Sequence, residues 1–325
     1  MPGTFKFHSV GQGLCYSGTI TQNAHSINFV YDCGSKNEKS STRALQNTIK
    51  KLPRTIDFLV VSHLHEDHIS GIPLFLQRPN ANIKKIYLPY FDARTFRNVF
   101  IAYLISGSII PTSPMFQYLV NWYDCDFNYE GISSERGEIH DANVEIEFVN
   151  GYTSNMLNDW TFLFFNKMVN QNKINAFNKS LQLLLNGQTI EQYIIQQNGN
   201  YSLLSNQFNM IFKNLNLTSL LLLHFNSTQK TLLTGDIESD RNLNSRLQQY
   251  INEGDQVIMQ TPHHGAKKAW NAFSCTFKYH SLQVISFGLG NRYGHPSQFV
   301  VDDFLKNKVR SKLVTQLTHY SYKIP

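Results

Sequence analysis

Short apolar runs recur toward both ends of the chain, and each stops at a polar residue. Residues 5–10 are extended and lead into the turn Gly11-Gln12-Gly13. Residues 14–19 and 26–31 predict a hairpin across Gln22-Asn23, its second strand ending at Asp32-Cys33-Gly34. Residues 39–51 predict a polar-faced helix that Pro53 stops. The run 56–61 is rich in strand formers, a helix is predicted over 68–77, and 83–88 predicts the next strand, ending before Pro89. Strands alternating with helices indicate an α/β sheet.

Residues 92–213 change character, with many Asn, Phe, Tyr and Gln. Helical spacing of apolar residues covers 96–105, 115–123, 160–168 and 181–197, and 144–149 is a short strand candidate. The chain therefore reads as one domain over 1–325 carrying a largely helical insertion at 92–213. That insertion either shapes access to a site or elaborates the core.

After it, 219–225 and 229–234 predict a hairpin ending at Gly235-Asp236, and 238–251 predicts a helix. Strands are predicted at 255–260, before Thr261-Pro262-His263-His264-Gly265, and at 283–287, before the loop that ends in Tyr293-Gly294-His295-Pro296. Ser297 caps a predicted helix through Leu305, and 314–323 is the last predicted strand.

Metal-competent side chains recur where these strands end: Asp32, the run from His63 to His68, Asp236, His264 and His295. In layered α/β proteins such ends gather on one edge and build the site. The densest stretch is Ser62-His63-Leu64-His65-Glu66-Asp67-His68. Imidazole and carboxylate are the usual ligands of zinc and related metals. Alternate residues of an extended segment share a side, so His63 and His65 could close on one ion while Asp67 and His68 face a second. Asp32 is a candidate for orienting the histidine loop.

A chain of 325 residues, 42% hydrophobic and 16% charged, suits a globular fold with a large core and excludes a disordered one. No apolar run is long enough to span a bilayer, and residues 1–6 lack a signal-peptide core, so a cytoplasmic protein is expected. Cys15, Cys33, Cys125 and Cys275 show no Cys-x-x-Cys spacing and are expected as free thiols. The net charge of +6 is compatible with a phosphate-rich partner. Lys267, Lys268 and Arg292 are candidate phosphate contacts, and the aromatic-rich insertion either stacks bases or is core.

Together these motifs resemble the metallo-β-lactamase fold superfamily, and within it the soluble hydrolase domain of ComEC-type DNA-uptake proteins. The likeness spans about 5–88 and 214–323. It rests on Val10-Gly11-Gln12-Gly13, Asp32-Cys33-Gly34, the histidine motif, Asn216-Leu217-Thr218-Ser219-Leu220, Leu233-Thr234-Gly235-Asp236, Pro262-His263-His264-Gly265 and Gly290-Asn291-Arg292-Tyr293-Gly294-His295-Pro296. The resemblance implies an αββα sandwich with a two-metal site, zinc or manganese, on its edge. It implies His63 and His65 on the first ion, Asp67, His68 and His264 on the second, and Asp236 bridging. His295, or His263, would donate a proton to a leaving oxygen, and Asp67 joins them as a candidate catalytic group.

One departure stands out. The superfamily's third histidine on the first ion has no clear counterpart: His140 precedes the expected position, Asn150 occupies it, and His224 lies inside an apolar strand. The first ion is therefore expected to take an oxygen or water ligand or to bind weakly. The activity implied is a nuclease or phosphodiesterase acting on nucleic acid. Two alternatives are hydrolysis of a small ester, lactone or phosphocholine-type substrate, and a degenerate metal-binding subunit of a larger complex. Stand-alone relatives of the ComEC-like branch are associated with multi-gene defence modules, which implies a protein partner.

Overall fold

A computed structural model describes residues 2–22, 25–36, 39–127, 144–157, 159–167, 170–212 and 219–324. His140, Asn216, Leu217 and Thr218 lie outside the described residues. The strands are β1 (Gly3–Phe7), β2 (Cys15–Gln22), β3 (His25–Cys33), β4 (Thr55–Val60), β5 (Asn82–Pro89), β6 (Glu145–Val149), β7 (Tyr152–Leu157), β8 (Trp160–Phe165), β9 (Leu221–Phe225), β10 (Lys230–Leu233), β11 (Val257–Gln260), β12 (Leu282–Ser286), β13 (Ser311–Val314) and β14 (Tyr320–Ile324). The helices are α1 (Lys39–Lys51), α2 (Glu66–Ile69), α3 (Ile72–Leu76), α4 (Arg97–Ser106), α5 (Pro114–Trp122), α6 (Gln171–Leu185), α7 (Ile190–Gln196), α8 (Tyr201–Ile211), α9 (Arg241–Tyr250), α10 (Lys267–Ala272) and α11 (Gln298–Lys306).

Among the described residues these strands form two seven-stranded sheets, ordered β14-β1-β2-β3-β4-β5-β6 and β13-β12-β11-β10-β9-β8-β7. In the first, β14 to β3 are antiparallel and β3 to β6 parallel. In the second, β7 to β10 are antiparallel and β10 to β13 parallel. Side chains alternate across each strand, so each sheet has two apolar faces to cover. Phe5, Tyr16, Phe29 and Phe58 of the first sheet meet Trp160, Phe162 and Leu222 of the second between the sheets. The outer face of the first sheet is covered by α1 and α3 to α8, and that of the second by α9, α10 and α11. The layers are therefore helix, sheet, sheet, helix, the expected αββα sandwich.

Several elements differ from the sequence reading. Residues 160–165 are strand, not helix, because β8 is buried on both faces: Trp160, Phe162 and Phe164 point between the sheets, Leu163 and Phe165 toward α9. A continuous apolar run of that kind has no period to read. The segment 92–213 is thus helical at its two ends, while β6, β7 and β8 in its middle extend both sheets. The helix over 181–197 is two, α6 and α7, separated where Asn186 and Gly187 take positive φ. The helix over 68–77 is α2 and α3, parted at Gly71, whose N–H donates to Cys33 O at 2.7 Å. The last strand is two strands in different sheets, divided by the Thr315–Thr318 turn. Neither α8 nor α10 was anticipated from the pattern.

The helical block reaches the histidine loop. Helix α4 is buried from Val99 to Ser106, and Gly107 just beyond it accepts from Glu66 N at 3.0 Å. A Cβ on Gly107 would stand 2.8 Å from His65 Cδ2, so only glycine permits the approach. All four cysteines are buried and free. Among the described residues, no helix is long and apolar enough to cross a membrane.

Candidate metal centre

The parallel strands β3, β4, β10, β11 and β12 deliver their C-terminal ends to one edge. Their turns are joined by hydrogen bonds. Leu220 N donates to Ser62 O at 2.7 Å, and Tyr31 Oη donates to Leu220 O at 2.7 Å. Gln260 Oε1 accepts from Thr234 N and Gly235 N, and His263 N donates to Gly235 O at 3.0 Å. Gly235 has φ of 52°, and a Cβ there would lie 2.8 Å from Ser62 Cβ. That close contact seats Asp236 against the histidine loop.

Three imidazoles are held in the same way. His68 Nδ1 is 2.7 Å from Asp32 Oδ2, His264 Nδ1 is 2.7 Å from Ser286 O, and His63 Nδ1 is 3.0 Å from Ser62 Oγ. The Ser62 hydroxyl donates to Asp32 Oδ2 at 2.6 Å, so it accepts from His63. With Nδ1 the donor in each ring, Nε2 carries the lone pair and points inward. The Nε2 atoms of His63, His68 and His264 are buried and none has a hydrogen-bond partner. Around them Asp236 Oδ1 lies 3.2 Å from His68 Nε2 and 3.7 Å from His264 Nε2, and Asp236 Oδ2 lies 3.8 Å from His63 Nε2. Asp67 Oδ2 lies 3.6 Å from His264 Nε2.

These atoms form two overlapping groups, His63, His68 and Asp236, and Asp67, His68 and His264. Buried imidazole lone pairs facing carboxylate oxygens are the donor set of a zinc- or manganese-type ion, so the residues fit a metal. His68 is common to both groups and Asp236 faces both, whereas His65 is in neither. The His65 ring stands 4.5 Å from that of His63 and 5.7 Å from that of Tyr103 on α4. His224 is not at the site: it is buried between the sheets against Phe5 and Phe29, with Nε2 2.7 Å from Tyr16 Oη. Asn150 is exposed.

The electrostatics show a cage built for positive charge. Burial works against a charged His68, but Asp236 and Asp32 outweigh it and hold its pKa well above the usual value. Burial likewise opposes, and Asp236 and Asp67 overcome, an upward shift of His264. Burial and the neighbouring His68 push His63 well down. Burial would raise Asp67 and Asp236; instead Lys36 and His264 hold Asp67 well below the usual carboxylate range, and His263, His68 and His264 hold Asp236 there.

The remaining candidates line the opening. His263 Nε2 is 3.4 Å from Asp236 Oδ2, and its side chain is about a third exposed. His295 lies with its ring 5.5 Å from that of His263, its backbone clamped by Asn291. Burial, His264 and His263 lower the His295 pKa to about 4. Asp32, His263 and His264 all take positive φ (54°, 49° and 53°), a conformation that costs a side chain about 1–2 kcal/mol. Strain of this kind collects at working sites. Lys268 is paired with Glu238 at 2.7 Å, Lys267 lies over the Phe299 ring at 4.8 Å, and Arg292 is exposed. Two residues had no assigned role in the sequence reading: Ser62, which joins Asp32 to His63, and Lys36, whose Nζ is 3.8 Å from Asp67 Oδ1. A lysine just after Asp32-Cys33-Gly34-Ser35 was the available signal.

Residues 11–151 match the model of the metallo-beta-lactamase superfamily. The two-sheet sandwich and the clustered strand ends agree with that match. Among curated proteins it is similar to ribonuclease Z of Streptococcus sanguinis strain SK36, 32% identical over 106 residues, 32% of this chain and 31% of that protein. Ribonuclease Z of Streptococcus gordonii is 31% identical over the same length. The chain thus spans about a third of the length of the curated relatives it matches. Solved structures that resemble it include unliganded yeast PDE1, with 11% identity and a TM-score of 0.46 over 97% of both chains. A long-form RNase Z from yeast is 12% identical with a TM-score of 0.37, over 80% of this chain and 32% of that one. The matched model is that of the superfamily as a whole.

Proposed function

We propose that this chain is a metal-dependent hydrolase that cleaves phosphodiester bonds of nucleic acid. The observation that carries the reading is the convergence of three buried, unpartnered Nε2 atoms on the Asp236 and Asp67 carboxylates. Ions held there would supply Lewis acidity and a water reactive at neutral pH. His63, His68 and His264 would hold them through Nε2, with Asp236 between the two groups and Asp67 on the His264 side. Asp32 and Ser62 fix the ring orientations. His263, open to solvent and near Asp236, is positioned to give a proton to a leaving oxygen. His295, kept neutral by burial, offers a hydrogen bond beside it. The name ribonuclease Z on the curated relatives supports RNA as the substrate class, and the net charge of +6 suits a polyanion. The ComEC-like loop that ends at His295 extends the proposal to DNA.

Labelled RNA and DNA, single-stranded and duplex, incubated with manganese- or zinc-loaded chain should be cleaved. His68→Ala and Asp236→Ala should abolish the cleavage. Turnover of a generic phosphodiester with both nucleic acids intact would favour the small-substrate alternative.

A further inference from the structure

We propose that Lys36 is the anion-holding cation of this centre, gripping the substrate phosphate beside Asp67. The proposal rests on the phosphodiester reading above and names the residue that would select a charged substrate. Lys36 follows β3, and its segment is fastened on two sides. Lys36 N donates to Gln12 O at 2.7 Å, Ser35 Oγ donates to Val10 O at 2.5 Å, and Ser35 N and O both bond the Ser70 hydroxyl. A long side chain on so fixed a backbone has a defined reach. Its ammonium lies 3.8 Å from Asp67 Oδ1 and 3.9 Å from Glu66 Oε2, both beyond hydrogen-bond length. It therefore faces both carboxylates without closing on either, and its side chain is 19% exposed.

Asp67 has its two oxygens on different duties. Oδ2 faces His264, and Oδ1 faces Lys36. Lys36 thus stands one carboxylate away from the second group of ligand atoms. An ammonium there repels a cation at that group, which makes it a poor choice for a site that only stores metal. It is a good choice when an anion must lie across the group, because a phosphate oxygen can then take a charge-assisted bond from Nζ. Of the three cations that the sequence suggested, Lys268 is paired with Glu238 at 2.7 Å, Lys267 lies over Phe299, and Arg292 is exposed.

The test compares full-length wild type, Lys36→Met and Lys36→Arg. Each metal-free protein is titrated with Mn2+, and each Mn2+-loaded protein with inorganic phosphate. Lys36→Met should hold Mn2+ at least as tightly as wild type and bind phosphate about tenfold more weakly or worse, with Lys36→Arg retaining most of the affinity. Unchanged phosphate binding in Lys36→Met, or no phosphate binding by wild type, would overturn the proposal. So would Mn2+ affinity falling in step with phosphate affinity, since Lys36 would then only be supporting Asp67. Nucleic-acid cleavage is read separately. A wild type that cleaves nothing yet binds phosphate through Lys36 defeats the nuclease reading alone, and equal cleavage by wild type and Lys36→Met defeats the Lys36 role alone.

Discussion

Asp32 and His68 meet through a 2.7 Å contact between Oδ2 and Nδ1, on the side of the imidazole turned away from the converging lone pairs. Asp32 also accepts from Ser62 N at 2.7 Å and from its hydroxyl, so the same carboxylate orients His63 at one remove. It touches no other ligand atom, yet it governs two rings. Asp32→Asn keeps the volume and removes the charge. It should lower metal affinity about 10–100-fold with every ligand still present, as loss of such supporting groups does elsewhere. Calorimetric titration of the metal-free variant with zinc checks this. Affinity equal to wild type would mean that Asp32 serves the turn alone.

His263 tests the strained turn. Its φ of 49° is a conformation that glycine adopts freely and alanine does not. His263→Gly should therefore be more stable than His263→Ala by about 1 kcal/mol in denaturant unfolding of the metal-free protein. Both should lose cleavage together if the imidazole is the proton donor. Equal stability of the two variants would show that the turn relaxes and stores no strain.

Acid should destabilise the fold through two buried histidines that belong to neither ligand group. Burial lowers His224 from 6.5 to about 3, and burial with Lys6, His319 and Lys51 lowers His8 to about 3. Both stay neutral in the folded protein, while the unfolded chain takes up their protons below 6.5. Their contribution is complete above pH 6.5 and is lost as pH falls toward 3, by up to about 1.4 kcal/mol per pH unit for each. His224→Phe suits the surrounding rings of Phe5 and Phe29, and leaves Tyr16 Oη bonded to Tyr322 Oη at 2.8 Å. Urea unfolding between pH 7 and pH 4 should show a shallower loss of stability in this variant. An identical slope would mean that His224 takes up its proton in the folded protein as well.

What could be read from the sequence depended on how local each signal was. The run from His63 to His68 announced itself because its residues are neighbours, and the strand before it needed only its apolar character. Asp236 and His264 came through their motifs, and both reach the cluster. The division of ligands was less legible: His68 is shared between the two groups, and His65 stands beside Tyr103, because ring direction is set by Asp32, Ser62 and Ser286 from other strands. The strand β8 was hidden because both its faces are covered, which removes the alternation that marks a strand. The split of the final strand was hidden because alternation does not say which sheet a residue joins. Lys36 was overlooked since a lysine after a turn usually points into solvent; only the fold brings Asp67 to it.

The most direct measurement is a titration of the metal-free chain with zinc and with manganese, following both bound metal and released protons. At least one ion per chain should bind, with a net release of protons, and binding should stabilise the fold by about 2.7 kcal/mol when free metal is a hundredfold above Kd. His68→Ala, which removes the atom common to both groups, should eliminate the tight binding. A wild-type chain that binds neither metal, or binds it equally well without His68, would contradict the metal centre and the hydrolytic role built on it.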